Sequence, residues 1–237
     1  MYRIRFHGRG GQGMKTASRI LGSAFFLEGF EVQDAPRYGA ERRGAPIFAY
    51  VRASRQTINE RGIIHHPDLV VVADDSLVPI PAAGVLQGLD THTLTLINSH
   101  SSAADWQQRL NLSGTVLILP AMEEVEDRAE LPFVGTTCAG AAARLVGVIS
   151  RDALAGAIRA ELGALGTQLV EKNTARALQA YDLMESHAGS VTEGKAHSAS
   201  NYARPDWVGM TVEDVDRAAP SIHASATSVE VKTGLWR

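Results

Sequence analysis

The 237-residue chain has an ordinary globular composition, with 45% hydrophobic residues, 21% charged residues and a formal net charge of −3. This composition excludes the broad basic surface that nucleic-acid or acidic-membrane partners require, and no apolar run approaches the roughly 20 residues of a membrane span. A single cysteine, Cys138, excludes an intrachain disulfide and an iron–sulfur cluster ligated by this chain alone. Residues 1–6 are too short and too polar for the apolar core of a signal peptide, so we expect a cytoplasmic protein.

The first predicted element is a strand, because Tyr2, Ile4 and Phe6 alternate with polar residues. After a glycine run the hydrophobic period changes to that of a helix, and Gly29 stands where the helix should be capped. The buried face of this helix is predicted to consist of Ala17, Ile20, Leu21, Ala24 and Phe25. A strand, a glycine turn and a helix in this order are typical of a doubly wound α/β unit.

The middle of the chain predicts further strands. The charged stretch at residues 33–46 is predicted to be a long exposed loop. A strand follows at residues 47–51, with residues 57–58 as its candidate hairpin partner. Short apolar runs, typical of strands buried on both faces, occur at residues 69–73, 94–97 and 116–119. Such runs separated by helical segments indicate a mainly parallel sheet.

Helices are predicted to complete the domain. Residues 139–149 and 153–162 form two of them, and Ser150 or Asp152 is placed to cap the second. A third helical stripe consists of Val170, Ala177, Leu178, Tyr181 and Met184.

The sequence therefore predicts three parts. Residues 1–187 form an α/β domain with a doubly wound, mainly parallel, Rossmann-like sheet. Residues 188–201 are small, polar and unpatterned, which indicates a linker. Residues 202–237 form an extended docking tail that contains Trp207 and Trp236.

The first candidate site is the glycine turn, defined as residues 8–13 (Gly8, Arg9, Gly10, Gly11, Gln12 and Gly13), which satisfies G-x-G-x-x-G between a strand and a helix. The glycines permit a tight turn, and the helix start offers N–H groups to an anion. Glu31 and Asp34 follow about 20 residues later, where nicotinamide-binding folds place a ribose-binding acid. Alternatively, the glycines serve only the packing of the chain or of a partner subunit.

The second candidate site is the arginine segment, defined as residues 38–44, in which Tyr38, Glu41, Arg42 and Arg43 carry the functional groups. Glycines at both ends of the charged stretch allow the backbone to turn sharply. The paired guanidinium groups can bind a carboxylate or a phosphate. The alternative is a solvated charged loop.

In this order, the glycine turn and the motif Y-G-A-E-R-R-G-A-P at residues 38–46, which includes the arginine segment, resemble the gamma subunit of the pyruvate/2-oxoacid:ferredoxin oxidoreductase family. In fused members of that family this subunit is a domain of one long chain. The resemblance covers about the first 185 residues and continues through P-D-L-V-V-V-A-D at residues 67–74 and L-I-N at residues 96–98. It resumes at residues 141–149 and at E-K-N, residues 171–173. Residues 220–237 are similar to the leading segment of the family's ferredoxin-like delta subunit, which precedes its cluster motifs.

This resemblance implies a subunit, inactive alone, of a complex that oxidatively decarboxylates a 2-oxoacid to its acyl-CoA. Thiamine diphosphate and Mg²⁺ belong to the alpha and beta subunits. Electrons leave through 4Fe-4S clusters on beta and delta toward ferredoxin or, in some members, an NAD-linked subunit that can carry FAD. The gamma domain is implicated in closing the active-site region and in the CoA side of the site. Pyruvate is the commonest substrate, and the delta-type leader also leaves an aromatic 2-oxoacid such as phenylglyoxylate open.

From these observations we expect the glycine turn to contact a partner chain or a CoA phosphate, and the arginine segment to lie at the same sheet edge. Trp207 and Trp236 in a polar tail predict docking of the delta chain, because aromatic anchors are typical of interfaces. No catalytic residue is predicted. Two other functions remain open: a stand-alone NAD-binding dehydrogenase and a purely structural scaffold subunit.

The remaining candidates are interpreted structurally. Asp74 and Asp75 follow a buried strand at the edge where open sheets bind ligands, and a helix cap at Asp75 or Ser76 is the preferred interpretation. Cys138 is interpreted as a small packing residue. Four histidines lack the spacing of a metal site and are interpreted as loop residues: His65, His66, His92 and His100.

Overall fold

The computed structural model describes residues 1–37, 45–112, 114–120 and 134–194, which contain six strands and five α-helices. The strands are β1 (Tyr2–Arg9), β2 (Glu31–Arg37), β3 (Pro46–Ser54), β4 (Leu69–Val72), β5 (Leu94–Ser99) and β6 (Thr115–Pro120). The helices are α1 (Met14–Leu27), α2 (Ala103–Leu110), α3 (Val134–Val146), α4 (Arg151–Leu162) and α5 (Thr167–Leu183).

All six strands form one sheet in the order β2-β3-β1-β4-β5-β6. Strands β1, β4, β5 and β6 pair in parallel, whereas β3 is antiparallel to both of its neighbours, β1 and β2. Strand β3 is therefore the one strand of this sheet that runs against the others. The predicted α/β class with a mainly parallel sheet is confirmed.

The prediction of a loop throughout residues 33–46 is wrong in its first part, because Glu31–Arg37 form strand β2. The partner of β3 is β2, with Glu31 opposite Ser54 and Arg37 opposite Phe48, and residues 57–58 form no strand. The physical reason is that β2 lies at the edge of the sheet, where charged residues and a proline are tolerated because one side of the strand has no neighbour.

The elements with a strong hydrophobic period are where the sequence places them. All residues of the predicted helical face are buried in α1, and Gly29 adopts φ 80° while its N–H donates to the carbonyl oxygen of Phe26 at 2.9 Å. The hydroxyl of Ser150 caps α4 by accepting from the N–H of Ala153 at 3.1 Å. Helix α3 begins at Val134, earlier than predicted.

Helix α2 escaped prediction because it is short and buries mainly one large side chain, Trp106. Its start is nevertheless encoded locally: Ser102 and Asp105 form a reciprocal capping box, in which each side chain bonds the other residue's backbone N–H.

Hydrophobic side chains cover both faces of the sheet. On the first face, helices α1, α3, α4 and α5 pack against residues such as Ile4, Phe6 and Val71. On the second face, α2 and the segment at residues 75–89 pack against Val70 and Val72. Helices on both faces are the layered arrangement expected of a doubly wound sheet. None of the helices in the described ranges combines the length and the apolar character that a membrane crossing requires.

The end of the described chain returns to the amino end of β1. The Val191 N–H donates to the Leu145 carbonyl oxygen at 2.9 Å, and Glu193 pairs with the amino group of Met1. The Gly194 carbonyl oxygen lies 3.3 Å from Nη1 of Arg3. The described chain therefore ends at the sheet edge opposite the glycine turn. The predicted tail, with Trp207 and Trp236, lies outside the described residues.

Candidate functional site

The glycine turn lies where β1 ends and α1 begins, at the edge of the sheet where β4 and β5 also end. Gly11 and Gly13 adopt φ values of 99° and 76°, a region that favours glycine because it has no Cβ. A Cβ on Gly8 would stand 2.6 Å from Cγ of Met14, so this side chain would have to move. The turn is therefore a tight connection in which Gly11 and Gly13 are favoured by their backbone angles and Gly8 by the position of Met14.

Much of the hydrogen-bonding capacity of the turn is used inside the chain. The Arg9 N–H donates to Oε1 of Gln12 at 2.7 Å, and the Gln12 N–H donates to the Arg9 carbonyl oxygen at 3.0 Å. The Gly10 N–H donates to the carbonyl oxygen of Ala45 at 2.9 Å. These three N–H groups are not available to a phosphate, so the turn differs from a loop whose successive amides all converge on an anion.

The start of α3 packs directly on the glycine turn. A Cβ on Gly135 would lie 2.5 Å from the carbonyl oxygen of Gly13, and a Cβ on Gly13 would lie 3.9 Å from Cα of Gly135. The absence of a Cβ on Gly135 thus allows a close backbone-to-backbone contact between the turn and α3. This contact supports the packing interpretation of the motif for Gly13.

Arg9 and Asp74 form an ion pair across the edge of the sheet. Nε of Arg9 donates to Oδ2 of Asp74 at 2.9 Å, and Nη2 donates to Oγ of Ser76 at 2.7 Å. Nε2 of Gln12 also donates to Oδ2 of Asp74, at 3.3 Å. With 32% of the Arg9 side chain exposed, the guanidinium is held in one orientation and still reaches solvent.

The carboxylate of Asp74 also caps the short 3-10 turn Asp75–Leu77 by accepting from the Ser76 N–H at 3.1 Å. The cap predicted at this position is present, but the capping residue is Asp74 and not Asp75 or Ser76. Asp75 instead accepts from Oγ of Ser99 at 2.6 Å, and that oxygen accepts from Nε1 of Trp106 at 3.1 Å. The sequence does not reveal this series of hydrogen bonds, because Asp75, Ser99 and Trp106 lie on three different elements.

The functional groups predicted in the arginine segment, Tyr38, Glu41, Arg42 and Arg43, lie outside the described residues. The chain on either side of the segment is described. Arg37 pairs with Phe48, and Pro46 lies opposite Arg9 in the β1–β3 ladder. Both ends of the segment are therefore at the carboxyl end of β1, beside the glycine turn.

Glu31 and Asp34 do not lie near the glycine turn. Glu31 pairs with Ser54 at the amino end of β1, and strand β3 separates β2 from β1. Cβ of Asp34 lies near Gly22 in the middle of α1. A ribose-binding acid follows the strand adjacent to β1 in nicotinamide-binding folds, so neither carboxylate occupies that position.

The remaining titratable candidates have structural surroundings. Cys138 is fully buried, and burial raises the pKa of its thiol to about 12, which makes it a packing residue and a poor nucleophile. Nε2 of His92 lies 3.3 Å from Oδ1 of Asp68. Across the described ranges, no group of three or more His, Cys, Asp or Glu side chains is placed to hold a metal ion.

Comparisons of the sequence and of the fold with known proteins give consistent matches. Residues 3–183 match the family model described as pyruvate ferredoxin/flavodoxin oxidoreductase. The common gamma subunit of the pyruvate/ketoisovalerate oxidoreductases of Pyrococcus furiosus is 37% identical over 186 residues, which cover 78% of this chain and 98% of that protein. Pyruvate synthase subunit PorC of Methanothermobacter marburgensis is 36% identical over 190 residues, which cover 80% of this chain and 100% of that protein.

A solved structure shows the same fold. The crystal structure of pyruvate oxidoreductase subunit PORC from Thermotoga maritima matches with a TM-score of 0.63 and 28% identity, over 76% of this chain and 95% of that chain. Both the sequence and the structural comparisons concern the α/β domain, and the family match ends before the predicted linker and tail.

Proposed function

The chain belongs to the pyruvate ferredoxin/flavodoxin oxidoreductase family, and on this premise we propose that it works as the gamma subunit of a complex that converts a 2-oxoacid to its acyl-CoA. The observation that carries the proposal is the extent of the similarity. The relatives named as gamma or PorC subunits are matched over almost their whole length, so the similarity is not confined to a shared glycine turn.

We propose that the chemistry itself is performed by partner chains. The edge that carries the glycine turn holds an arginine and a carboxylate that pair with each other, and the cysteine is buried. The alpha and beta subunits would hold thiamine diphosphate and Mg²⁺, and beta and delta would hold 4Fe-4S clusters. The described residues of this chain would supply a rigid surface for those partners.

The role proposed for this surface combines assembly with the CoA side of the active site. The glycine turn is stiffened by internal hydrogen bonds and by α3, which suits a surface that docks against another chain. The arginine segment starts and ends beside it, and paired guanidinium groups suit the phosphates of CoA.

The CoA role is tested in the reconstituted complex with the double substitution Arg42→Ala and Arg43→Ala. Loss of two phosphate contacts should raise the apparent KM for CoA by about 10-fold or more, since a charge-assisted hydrogen bond contributes roughly 1.5–3 kcal/mol. The matched control replaces Arg109 and Arg159, two exposed arginines on α2 and α4, and should leave this KM unchanged. An unchanged KM for CoA in the double variant contradicts the ligand role.

A scaffold subunit without ligand contact is the second candidate, and one observation favours it: three N–H groups of the glycine turn are already paired within the chain. In that case the same double variant should weaken co-purification with the alpha and beta chains while KM in the assembled fraction stays normal. Measuring KM and subunit recovery on the same preparation separates the two functions.

A stand-alone NAD-binding dehydrogenase is the third possibility, and the position of Glu31 at the far end of the sheet speaks against it. The thermal unfolding of the full chain with and without NAD provides the test. We expect no shift of the melting temperature, and a shift of several degrees at millimolar NAD would revive this function.

We propose that residues 202–237 dock the ferredoxin-like delta chain. The support for this proposal is the resemblance of residues 220–237 to the leading segment of the family's delta subunit, together with two tryptophans in a polar segment. Removing residues 202–237 should release the delta chain in a pull-down while alpha and beta stay bound. The double substitution of Trp207 and Trp236 by alanine should reproduce this loss, and a deletion confined to residues 196–201 of the predicted linker should not. Full recovery of delta with both tail variants would contradict docking.

The substrate and the location are further proposals. We propose pyruvate as the first substrate to assay and phenylglyoxylate as the second, with ferredoxin or an NAD-linked chain as electron acceptor. The list of chains and cofactors that co-purify with the protein decides between these acceptors.

A cytoplasmic location accords with a lone thiol that is buried and unpaired.

A further inference from the structure

The second face of the sheet carries a cavity of about 270 Å³ above β1 and β3. Its floor is formed by the buried side chains of Arg5, His7 and Tyr50, and its rim includes Phe48, Ile63 and Gln87. Floor and rim together combine one cation, one imidazole and an apolar wall. This composition is typical of sites that orient a small ligand by a few polar groups.

Arg5 is a buried cation without a carboxylate partner in the described ranges. Its side chain is 2% exposed, and its terminal nitrogens donate to the carbonyl oxygens of Ile64 at 3.3 Å and Val85 at 2.9 Å. Burial lowers its pKa to about 10, so the guanidinium is still charged at neutral pH. Nε is buried and has no hydrogen-bond partner among the described residues. A buried charge of this kind needs a compensating anion.

His7 offers the complementary group. Its Nδ1 lies 3.1 Å from the carbonyl oxygen of Ala83, and since a carbonyl can only accept, Nδ1 carries the proton. Burial, together with the charge of Arg5, lowers the pKa of the imidazole to about 3, so the ring is neutral. Nε2 then presents a lone pair, and it too is buried and unpartnered in the described part of the chain. The cavity floor thus has one unused donor and one unused acceptor.

The two unused atoms lie on side chains of one strand. Residues two apart on a strand project from the same face, roughly 6.6 Å apart along the chain. Both side chains line the same cavity, but these two atoms have almost no accessible surface, so a ligand that contacts both requires small movements of the two side chains. Buried polar atoms without partners are rare in folded proteins and call for an explanation such as a ligand.

We propose that this cavity binds a small carboxylate that also carries a hydroxyl group. The carboxylate accepts from Nε of Arg5 and neutralises its charge, the hydroxyl donates to Nε2 of His7, and the carbon skeleton packs against Phe48 and Ile63. A volume of about 270 Å³ has room for a ligand of a few carbons. The proposal does not depend on the role of the glycine turn, because it uses a different face of the sheet.

The pairing of donor and acceptor predicts a selectivity. A fully deprotonated oxyanion such as sulfate compensates Arg5 but offers nothing to the lone pair of His7. A carboxylate without a hydroxyl has the same deficit. Among small anions the hydroxy acids should therefore bind best, and water alone would leave the charge of Arg5 without a counter-ion.

The test titrates the full chain with 2-, 3- and 4-hydroxy acids of up to four carbons, with the matching unsubstituted carboxylates and with sulfate. Calorimetry should show at least one hydroxy acid binding about 5-fold or more tightly than its unsubstituted parent. Nitrogen NMR of the His7 ring supplies a local readout, because the Nε2 signal should move when that atom accepts a hydrogen bond.

A second test changes exposed residues and leaves the buried side chains of Arg5 and His7 intact. Ile63→Trp fills the mouth of the cavity and should weaken binding at least 10-fold, whereas Leu86→Trp, at a site of nearly equal exposure (37% against 39%) outside the cavity, should not. The proposal is overturned if no hydroxy acid binds, if sulfate and unsubstituted acids bind as well, or if Ile63→Trp leaves binding intact.

Discussion

Gly13 and Gly135 are in backbone contact, so closely that a Cβ on Gly135 would lie 2.5 Å from the Gly13 carbonyl oxygen. This contact joins the glycine turn at the head of α1 to the first turn of α3, two elements that are more than a hundred residues apart. The turn is therefore held by tertiary packing as well as by its own hydrogen bonds. The backbone of the turn is correspondingly rigid.

Replacing Gly135 by alanine should destabilise the domain, because the new Cβ meets backbone atoms that cannot move aside. We expect a loss of about 1–3 kcal/mol in the free energy of unfolding, measured by urea denaturation. Gly163→Ala is the matched control, since that position has φ −53° and open space around the added Cβ. Equal stability of both variants would show that the turn and α3 are not packed as described.

The ion pair of Arg9 and Asp74 should show measurable coupling in a double-mutant cycle with Arg9→Met and Asp74→Asn. Both side chains are partly buried, and we expect about 0.5–1 kcal/mol from thermal or chemical unfolding. The same cycle on Arg151 and Asp182, a pair whose side chains are more than half exposed, should give a smaller coupling, because solvent screens the two charges. A larger coupling for Arg151 and Asp182 than for Arg9 and Asp74 would contradict the description of the second pair as the more buried one.

The stability of the domain should depend on the ionisation of Glu60. Hydrogen bonds from Arg3 lower the pKa of this carboxyl, so the folded state binds its proton less readily than the unfolded chain does. The stabilisation is therefore fully present above the unfolded pKa of about 4.3 and is lost as pH falls through the lower folded pKa.

Chemical denaturation of the wild type and of Glu60→Gln between pH 3 and pH 7 measures this effect. The wild type should be more stable at pH 7, and the difference should shrink on acidification. Glu171→Gln, at an exposed position on α5, controls for the loss of one carboxylate elsewhere. A difference that is constant across the pH range would rule out the proposed linkage.

Cys138 should be unreactive while the domain is folded. Burial raises its pKa to about 12, so almost no thiolate exists at pH 8, and reagents cannot reach the sulfur. We expect Ellman's reagent to label the native protein only at the rate of unfolding and the denatured protein within seconds. Rapid labelling of the native chain would show that α3 is not buried as described.

The sequence predicted the strand, the turn and the helix around the first candidate site well because the signals there are local. The alternation at Tyr2, Ile4 and Phe6, the glycine turn and the helical stripe of α1 all lie within one strand–turn–helix unit. Strand β2 was missed because an edge strand can carry charges, so its sequence resembles that of a loop. The Asp74 cap could be predicted only to within one or two residues.

The sequence by itself determined the α/β class, the positions of the hydrophobic strands along the chain and the tight turn before α1. The reason is that backbone preferences and hydrophobic period act over a few neighbouring residues. The tertiary structure decided that β3 separates Glu31 from the glycine turn. It also decided that Arg5 and His7 are buried, although alternating polar residues on a strand usually indicate a solvated face. The reason is that loops distant in the chain, including Ile64 and Val85, cover that face, and such long-range contacts leave no periodic trace in the strand itself.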